Sequence, residues 1–372
     1  MTSWARTRSL QGTQQTLQLL TRYVEECKHV TGPNNQTIPE TRLFNIAMDA
    51  WTKSGRPEAP QEILKLFKKM QALRSRWPNL QPDVISLSSL CLAWAKSRRP
   101  DAAQQAKEIL EHMIQKGYKP NTKTYNAVLL AFVHSSDKEK AQHVETLIQQ
   151  MQERFDSGHI DCRPDVCSYQ CLMTALSRTP NLSPTRVEEI LNQLRQNHLV
   201  EPNAHCYVAA IHAWGYSREL NKSRRAYELL LQLRKEYRKS GQKPSLKPNV
   251  VAYTAVINAC AMTMETDALA IAQLVMEEMR YDSFDKPTFM TYAAFLHVLG
   301  SSVPFSDQRR HLLAQQIMEQ AINDGQVGCI VLEKLYTASA SVYKEMVEID
   351  REGVAHIPPE WSRNVVGERQ NT

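Results

Sequence analysis

KPNTKTYNAVLLAFVHSSDKEKAQHVETLIQQMQERF, residues 119–155, reads as one helical hairpin. Asn121 follows Pro120 and can cap the next helix, because its side chain accepts an orphan backbone N–H. The proline before it keeps the preceding helix from running on. Tyr125, Val128, Leu129 and Phe132 then recur at helical spacing, giving a first helix of about three turns. After the polar break SSDKEK, the residues Val144, Leu147, Ile148 and Met151 repeat that spacing and predict a second helix.

The phasing of this stretch occurs seven times, as Pro39/Phe44, Pro82/Leu87, Pro120/Tyr125, Pro164/Tyr169, Pro202/Tyr207, Pro248/Tyr253 and Pro287/Tyr292. Successive prolines lie 43, 38, 44, 38, 46 and 39 residues apart, while the internal offset stays at five. A fixed local unit with elastic connectors marks stacked repeats, each burying its apolar face on its neighbours. The tenth residue of the unit is Ala50, Ala93, Ala131, Ala175, Ala213 and Ala259, with Val298 in the last, and bulky neighbours such as Trp51, Trp94, Phe132 and Trp214 follow several of them. A small residue lets two helices approach and a bulky neighbour fills the groove beside it, so these columns are core. Met70, Met113, Met151, Leu194, Leu233 and Met279 close the second helices and also read as core. Long and short units alternate. The long joints are 71–81, 152–163 and 234–247, which suggests duplication of a two-hairpin block of roughly 82 residues.

Hydrophobic content of 42% suffices for a continuous core, and the net charge of +6 permits a polyanionic partner without demanding one. Eight cysteines (27, 91, 162, 167, 171, 206, 260 and 329) are scattered, several at apolar helical positions, as expected of a reduced interior. No apolar run approaches the roughly 20 residues that span a bilayer. The first 24 residues hold Arg6, Arg8 and Arg22 and no acid, a composition that suits an organelle transit peptide. Residues 14–30 also place Leu17, Leu20, Val24 and Cys27 on one helical face, as a capping helix with no partner helix before it. After Tyr292, helices are expected near 307–323 and 330–349, and the pattern then fades into the polar tail 351–372.

Catalytic signatures are missing. His143 and Glu145 imitate half of a zinc-deaminase motif, but no Pro-Cys-x-x-Cys follows. Cys162, Cys167 and Cys171 near His159 lack the Cys-x-x-Cys spacing of a zinc knuckle. There is no phosphate-binding Gly-rich loop and no Asp/Glu cluster for a metal-dependent nuclease. The expectation is a protein that is not an enzyme and carries no cofactor or metal.

HMIQKGYKPN (112–121), KPNTKTYNAVLLAF (119–132), RPDVCSYQCLMTAL (163–176) and KPNVVAYTAVINAC (247–260) resemble the pentatricopeptide-repeat family, over about residues 40–325. The departure is length, since every unit here exceeds that family's standard repeat. The tetratricopeptide opening Trp-x-x-Leu-Gly-x-x-Tyr is not found. The resemblance implies an all-α, right-handed α-solenoid of about seven helix–turn–helix repeats with N- and C-terminal capping helices, divided as 1–40, 41–325 and 326–372. It further implies single-stranded RNA along the concave face, one base per hairpin, read by the fifth residue of a unit and its final residue.

Carried over, the base-reading pairs are Asn45/Asp83, Ser88/Asn121, Asn126/Asp165, Gln170/Asn203, Val208/Asn249 and Thr254/Thr288. In that family's terms the first and third resemble uridine readers, the second an adenine reader and the last a purine reader, a 5′-U-A-U-N-N-purine preference. Val208 offers no hydrogen bond, and Ala293 opens an unfinished unit. Helix capping alone would also select Asp, Asn and Thr after each proline.

A further column is independent of the resemblance. The thirteenth residue is Lys53, Lys96, His134 and Arg178, then Tyr216 and Met262. Eight residues along a helix leave it roughly 80° from the fifth, so both can border one groove that follows a phosphate backbone. A basic residue answering the helix macrodipole fits equally. Both columns weaken in later units, so the N-terminal half is expected to bind more strongly. Residues 224–247 hold eight Lys/Arg, either as a solvated face or as an auxiliary contact to RNA or a ribosome.

The expected function is site occupation on organellar transcripts (stability, processing or translation), in the mitochondrion, with plastid or cytoplasm as alternatives. The expected partners are single-stranded RNA and other RNA-processing or ribosomal proteins, with no membrane and a monomeric chain. The alternative is a protein-binding or ribosome-associated scaffold without base readout.

Overall fold

The computed structural model describes residues 2, 9–29, 39–179, 183–196, 200–263, 265–281, 286–304, 307–348 and 355–366. Among these, the extended elements are all helices. The chain forms two compact units, Met1–Ala175 and Leu176–Thr372.

In the N-terminal unit α1 (Leu10–His29) precedes three hairpins: α2 (Thr41–Ser54) with α3 (Ala59–Leu73), α4 (Val84–Ser97) with α5 (Ala102–Gln115), and α6 (Thr122–His134) with α7 (Lys140–Asp156). The helix α8 (Val166–Ser177) follows and runs across the boundary between the units. The first helices α2, α4 and α6 pack on one another in sequence, and each second helix packs on its own first helix. The result is a helical-repeat solenoid. Phe44 and Tyr125 are fully buried, and Ala50, Ala93 and Ala131 are no more than 2% exposed, as the small-residue column requires. The helix α1 packs on α2 with Leu20, Val24 and Cys27 buried, so the structural-helix reading holds for this segment. Of the three arginines on which the transit reading rests, Arg6 and Arg8 lie outside the described residues, and Arg22 stands on α1, paired with Glu26 at 2.9 Å.

The C-terminal unit repeats the scheme with α9 (Pro184–Gln196), α10 (Ala204–Tyr216), α11 (Lys222–Lys239), α12 (Val250–Ala261), α13 (Ala268–Tyr281), α14 (Phe289–Ser302), α15 (Gln308–Asn323), α16 (Cys329–Ala338) and α17 (Ala340–Met346). Here α10, α12, α14 and α16 form the layer of first helices. Tyr207, Tyr253 and Tyr292 are buried to within 1%. The joints are also regular. Leu80, Cys162 and Leu246, each two residues before a proline, plug the three long connectors with at most 8% exposure.

Each of three hairpins is closed by a cation reaching back from its second helix. Lys140 Nζ donates to the Ser135 carbonyl at 3.3 Å and Lys222 Nζ to the Ser217 carbonyl at 3.2 Å. Arg310, only 3% exposed, donates to the carbonyls of Val303, Thr337 and Ala338. Carbonyls at a helix C-terminus have no intrahelical partner and carry the negative end of the macrodipole, so a buried cation is accommodated there. Burial holds both Lys222 and Arg310 below their usual pKa values.

The C-terminal end departs from the sequence reading in two ways. The expected helix over 330–349 is broken at Ser339, whose backbone is extended (φ −155°, ψ 98°) and whose hydroxyl caps Val342. This break makes α16 the first helix of an eighth unit: Val327 stands where the other units have proline, Leu332 lies five residues on, and Ala338 takes the tenth position, fully buried. The tail does not simply fade. Val327 N–H donates to the Trp361 carbonyl at 2.8 Å, and Asn364 donates to the carbonyls of Gly325 at 2.9 Å and Asp324 at 2.8 Å. Residues 355–366 thus return to the joint after α15, whose end carbonyls need partners.

All eight cysteines are free. Burial pushes the thiols of Cys91, Cys171 and Cys260 up to about 12, which keeps them neutral. Among the described residues no helix is long and apolar enough to cross a membrane.

The first helices α10 and α12 approach closely at Gly215, where an added Cβ would stand 3.3 Å from Ala259 Cβ. Gly215→Leu should therefore overpack the α10–α12 contact and destabilise the chain by about 1–3 kcal/mol. Gly215→Ala should be nearly neutral, because helix propensity improves by roughly 1 kcal/mol while the neighbour shifts slightly. Urea denaturation of the two variants checks this; equal stability would contradict it.

Candidate nucleic-acid interface

The interface is built at helix N-termini. The residue after each proline is an N-cap: Asp83, Asn121, Asp165, Asn203 and Asn249 accept the backbone N–H three residues on, at 2.8, 3.1, 3.0, 3.1 and 3.0 Å. Stacking sets the fifth residue of the preceding unit against that cap. In the N-terminal unit Asn45 Nδ2 donates to both carboxylate oxygens of Asp83 at 3.2 Å, and Asn126 Nδ2 donates to Asp165 Oδ1 at 3.0 Å. Two of the sequence-predicted pairs are thus in direct contact.

Two further pairs meet through a hydroxyl. Thr124 Oγ1 lies 2.6 Å from Ser88 Oγ and donates to Asn121 Oδ1 at 3.1 Å. In the C-terminal unit Thr291 Oγ1 lies 2.8 Å from Thr254 Oγ1 and 3.3 Å from Thr288 Oγ1. Gln170 belongs to the N-terminal unit and Asn203 to the C-terminal one. Val208 is 8% exposed and presents only an apolar surface beside the cap column.

The geometry differs from a row of fully exposed tips. Asn45 is 8% exposed, with Nδ2 on Asp83 and Oδ1 accepting from Ser86 Oγ at 2.5 Å. The physical reason is that the next helix N-terminus, rich in unsatisfied donors and their cap, closes over the fifth residue. The half-exposed group of that pair is the Asp83 carboxylate. Asn126 and Asp165 are both half-exposed. Capping and pairing are therefore carried by the same side chain and do not exclude each other.

Sequence reasoning missed two columns. One is the hydroxyl at the third helical residue (Ser86, Thr124, Ser168, Thr291). The other is the second helical residue, exposed although often apolar: Ile85 is 60%, Val251 50% and Met290 46% exposed. The second and fifth residues of a helix share a face. An apolar residue kept in solvent at that recurring position was the available signal.

The basic column is mixed. Lys53 Nζ pairs with Asp49 at 2.6 Å, a half-exposed i,i+4 contact of the kind that contributes little and exchanges readily. Lys96 is half-exposed. His134 Nδ1 lies 3.1 Å from the Ala95 carbonyl, which ties its ring to the neighbouring first helix. Arg178 is exposed in the C-terminal unit, where burial first and this guanidinium second hold His212 below its usual pKa. Three cations of the stretch 224–247 are held in ion pairs between helices: Arg224 with Asp267 at 2.7 Å, Arg225 with Glu188, and Arg234 with Glu278 at 2.7 Å. Among the described residues, no cluster of His, Cys, Asp or Glu could hold a metal ion.

The sequence profile of the pentatricopeptide repeat domain matches residues 63–135 and 224–302. The chain is 21% identical over 257 residues to a chloroplastic pentatricopeptide repeat-containing protein of Arabidopsis thaliana, covering 69% of this chain and 29% of the relative. A second chloroplastic protein of that family from the same plant is 26% identical over 132 residues, covering 36% and 22%. This chain thus spans less than a third of the length of the curated relatives it matches. The crystal structure of the maize pentatricopeptide repeat protein PPR10 aligns at a TM-score of 0.45 and 19% identity, over 89% of this chain and 42% of that one.

The caps give a test of their own. Asp83→Ala and Asp165→Ala should each destabilise the fold by about 1 kcal/mol through loss of the cap. The Asp→Asn variants, which keep a cap oxygen, should lose much less. Chemical denaturation distinguishes them, and an Ala variant as stable as the parent would show that the cap is dispensable.

Proposed function

We propose that this chain acts as a pentatricopeptide-repeat protein that binds single-stranded RNA by sequence, chiefly through its N-terminal unit. The observation that carries this reading is the contact between the fifth and last residues at Asn45/Asp83 and Asn126/Asp165, with the Ser88/Asn121 pair between them in the chain. In the Asn126/Asp165 pair the amide nitrogen keeps a second hydrogen and the carboxylate keeps Oδ2, a donor beside an acceptor. Uracil offers the complement, an acceptor carbonyl beside its N3–H. Asn121 offers an amide suited to the donor and acceptor of adenine. Ile85 shares a helix face with Ser88 and supplies apolar surface for the flat side of a base.

Lys53 and Lys96 supply charge for the phosphates in this unit, and Arg178 does so in the other. The later pairs are poorer: Val208 has no polar group, and Thr254 and Thr288 offer single hydroxyls. The protein acts by occupying its site and excluding other factors from the RNA, without chemistry of its own. The chloroplastic relatives support an organelle as its place of action, the plastid ahead of the mitochondrion.

Selection from a random single-stranded RNA pool tests the reading. Enrichment of a U-A-U core is expected, and a pool without enrichment would sink the proposal. Binding through four phosphate contacts gives a log–log salt slope near −3, since each contributes about 0.7. Replacing Lys53, Lys96 and Arg178 with Ala should flatten that slope by about 2 for every RNA. Replacing Asn45 and Asn126 should instead change which sequence is enriched.

A further inference from the structure

The hydroxyl column deepens this reading and rests on it. Ser86 and Ser168 are fully buried, each at the third residue of its helix. Each oxygen accepts the backbone N–H of the cap residue, from Asp83 at 3.2 Å and from Asp165 at 3.1 Å. What each hydroxyl has left to give is its proton. The nearest acceptor is the amide oxygen of the preceding unit's fifth residue: Asn45 Oδ1 at 2.5 Å and Asn126 Oδ1 at 2.6 Å. The Asp oxygen lies farther off, at 2.9 and 3.1 Å.

From this geometry we propose that Ser86 and Ser168 are specificity-determining positioning residues, which lock the Asn45 and Asn126 amides with oxygen inward and nitrogen toward the carboxylate and the RNA. An amide has two orientations of nearly equal shape. Only one places a donor beside the Asp carboxylate at the base edge. That arrangement accepts uracil, whose N3 carries a hydrogen, and repels cytosine, whose N3 is a lone pair. With the orientation free, this distinction is lost.

The N-cap bond itself does not require the hydroxyl. Asn203 and Asn249 cap their helices at 3.1 and 3.0 Å although the third helical residue there is Cys206 or Ala252. In the units preceding those two, the fifth residue is Gln170 or Val208. A hydroxyl stands at the third residue where the preceding fifth residue is Asn45, Ser88, Asn126 or Thr254, short polar side chains that can use it.

The test uses the full chain carrying Ser86→Ala with Ser168→Ala, beside Ser86→Thr with Ser168→Thr, the latter keeping the hydroxyl. The probes are synthetic RNAs from the selected consensus with uracil or cytosine at the two matched positions. The parent and the Thr pair should prefer uracil by about tenfold at each position, the range of one good directional contact. The Ala pair should bring that ratio near one, while binding the cytosine RNA as tightly as before or tighter. An Ala pair that keeps the uracil preference overturns the inference and leaves the proposed function standing. A parent with no preference at these positions overturns both. Loss of stability alone would weaken binding to both RNAs equally, so the ratio separates positioning from folding, and an unchanged ratio at reduced affinity counts against the inference.

Discussion

Every first helix must find partners for the N–H groups at its start, and the way this chain meets that demand organises the rest. The proline stops the preceding chain, the next residue caps, and the cap needs a position against the neighbouring hairpin. Asp83 and Asp165 satisfy their own helices and simultaneously take the amides of Asn45 and Asn126. The contact between hairpins is thus polar at one edge and apolar along its length, where Ala93, Leu90 and Trp94 are buried. A ladder of hydrogen-bonding groups at that edge follows from folding, before any ligand is considered.

The hairpins were legible because their signals are local. A proline, a cap and an apolar residue five positions on recur in phase, and alanine at the tenth position marks the close approach of helices. The eighth unit was not legible, because Val327 replaces the breaker and the residues around it carry no other mark. The return of the tail was hidden for a related reason. Its bonds to Gly325 and Asp324 end on backbone carbonyls, which every residue carries and which sequence patterns therefore do not reveal.

The site was legible in its pairing and not in its burial. Helical spacing places Asn45 and Asn126 on a face, but the closeness of the next N-terminus decides how much of each amide remains accessible. The third-residue hydroxyls escaped notice because a capping box explains Ser86 and Thr124 without reference to the neighbouring hairpin. Only the distances to Asn45 and Ser88 show that these groups face two ways.

The cations that fasten first to second helices have a mechanical consequence. Lys140 and Lys222 reach back five residues and Arg310 reaches back seven, yet all three end on the same kind of carbonyl. The fastening therefore tolerates turns of different length, and lengthening a flexible turn costs only a few tenths of a kcal/mol. Drift in the bends between paired helices is absorbed locally, so it leaves the spacing of the polar edge on the opposite end of each hairpin undisturbed.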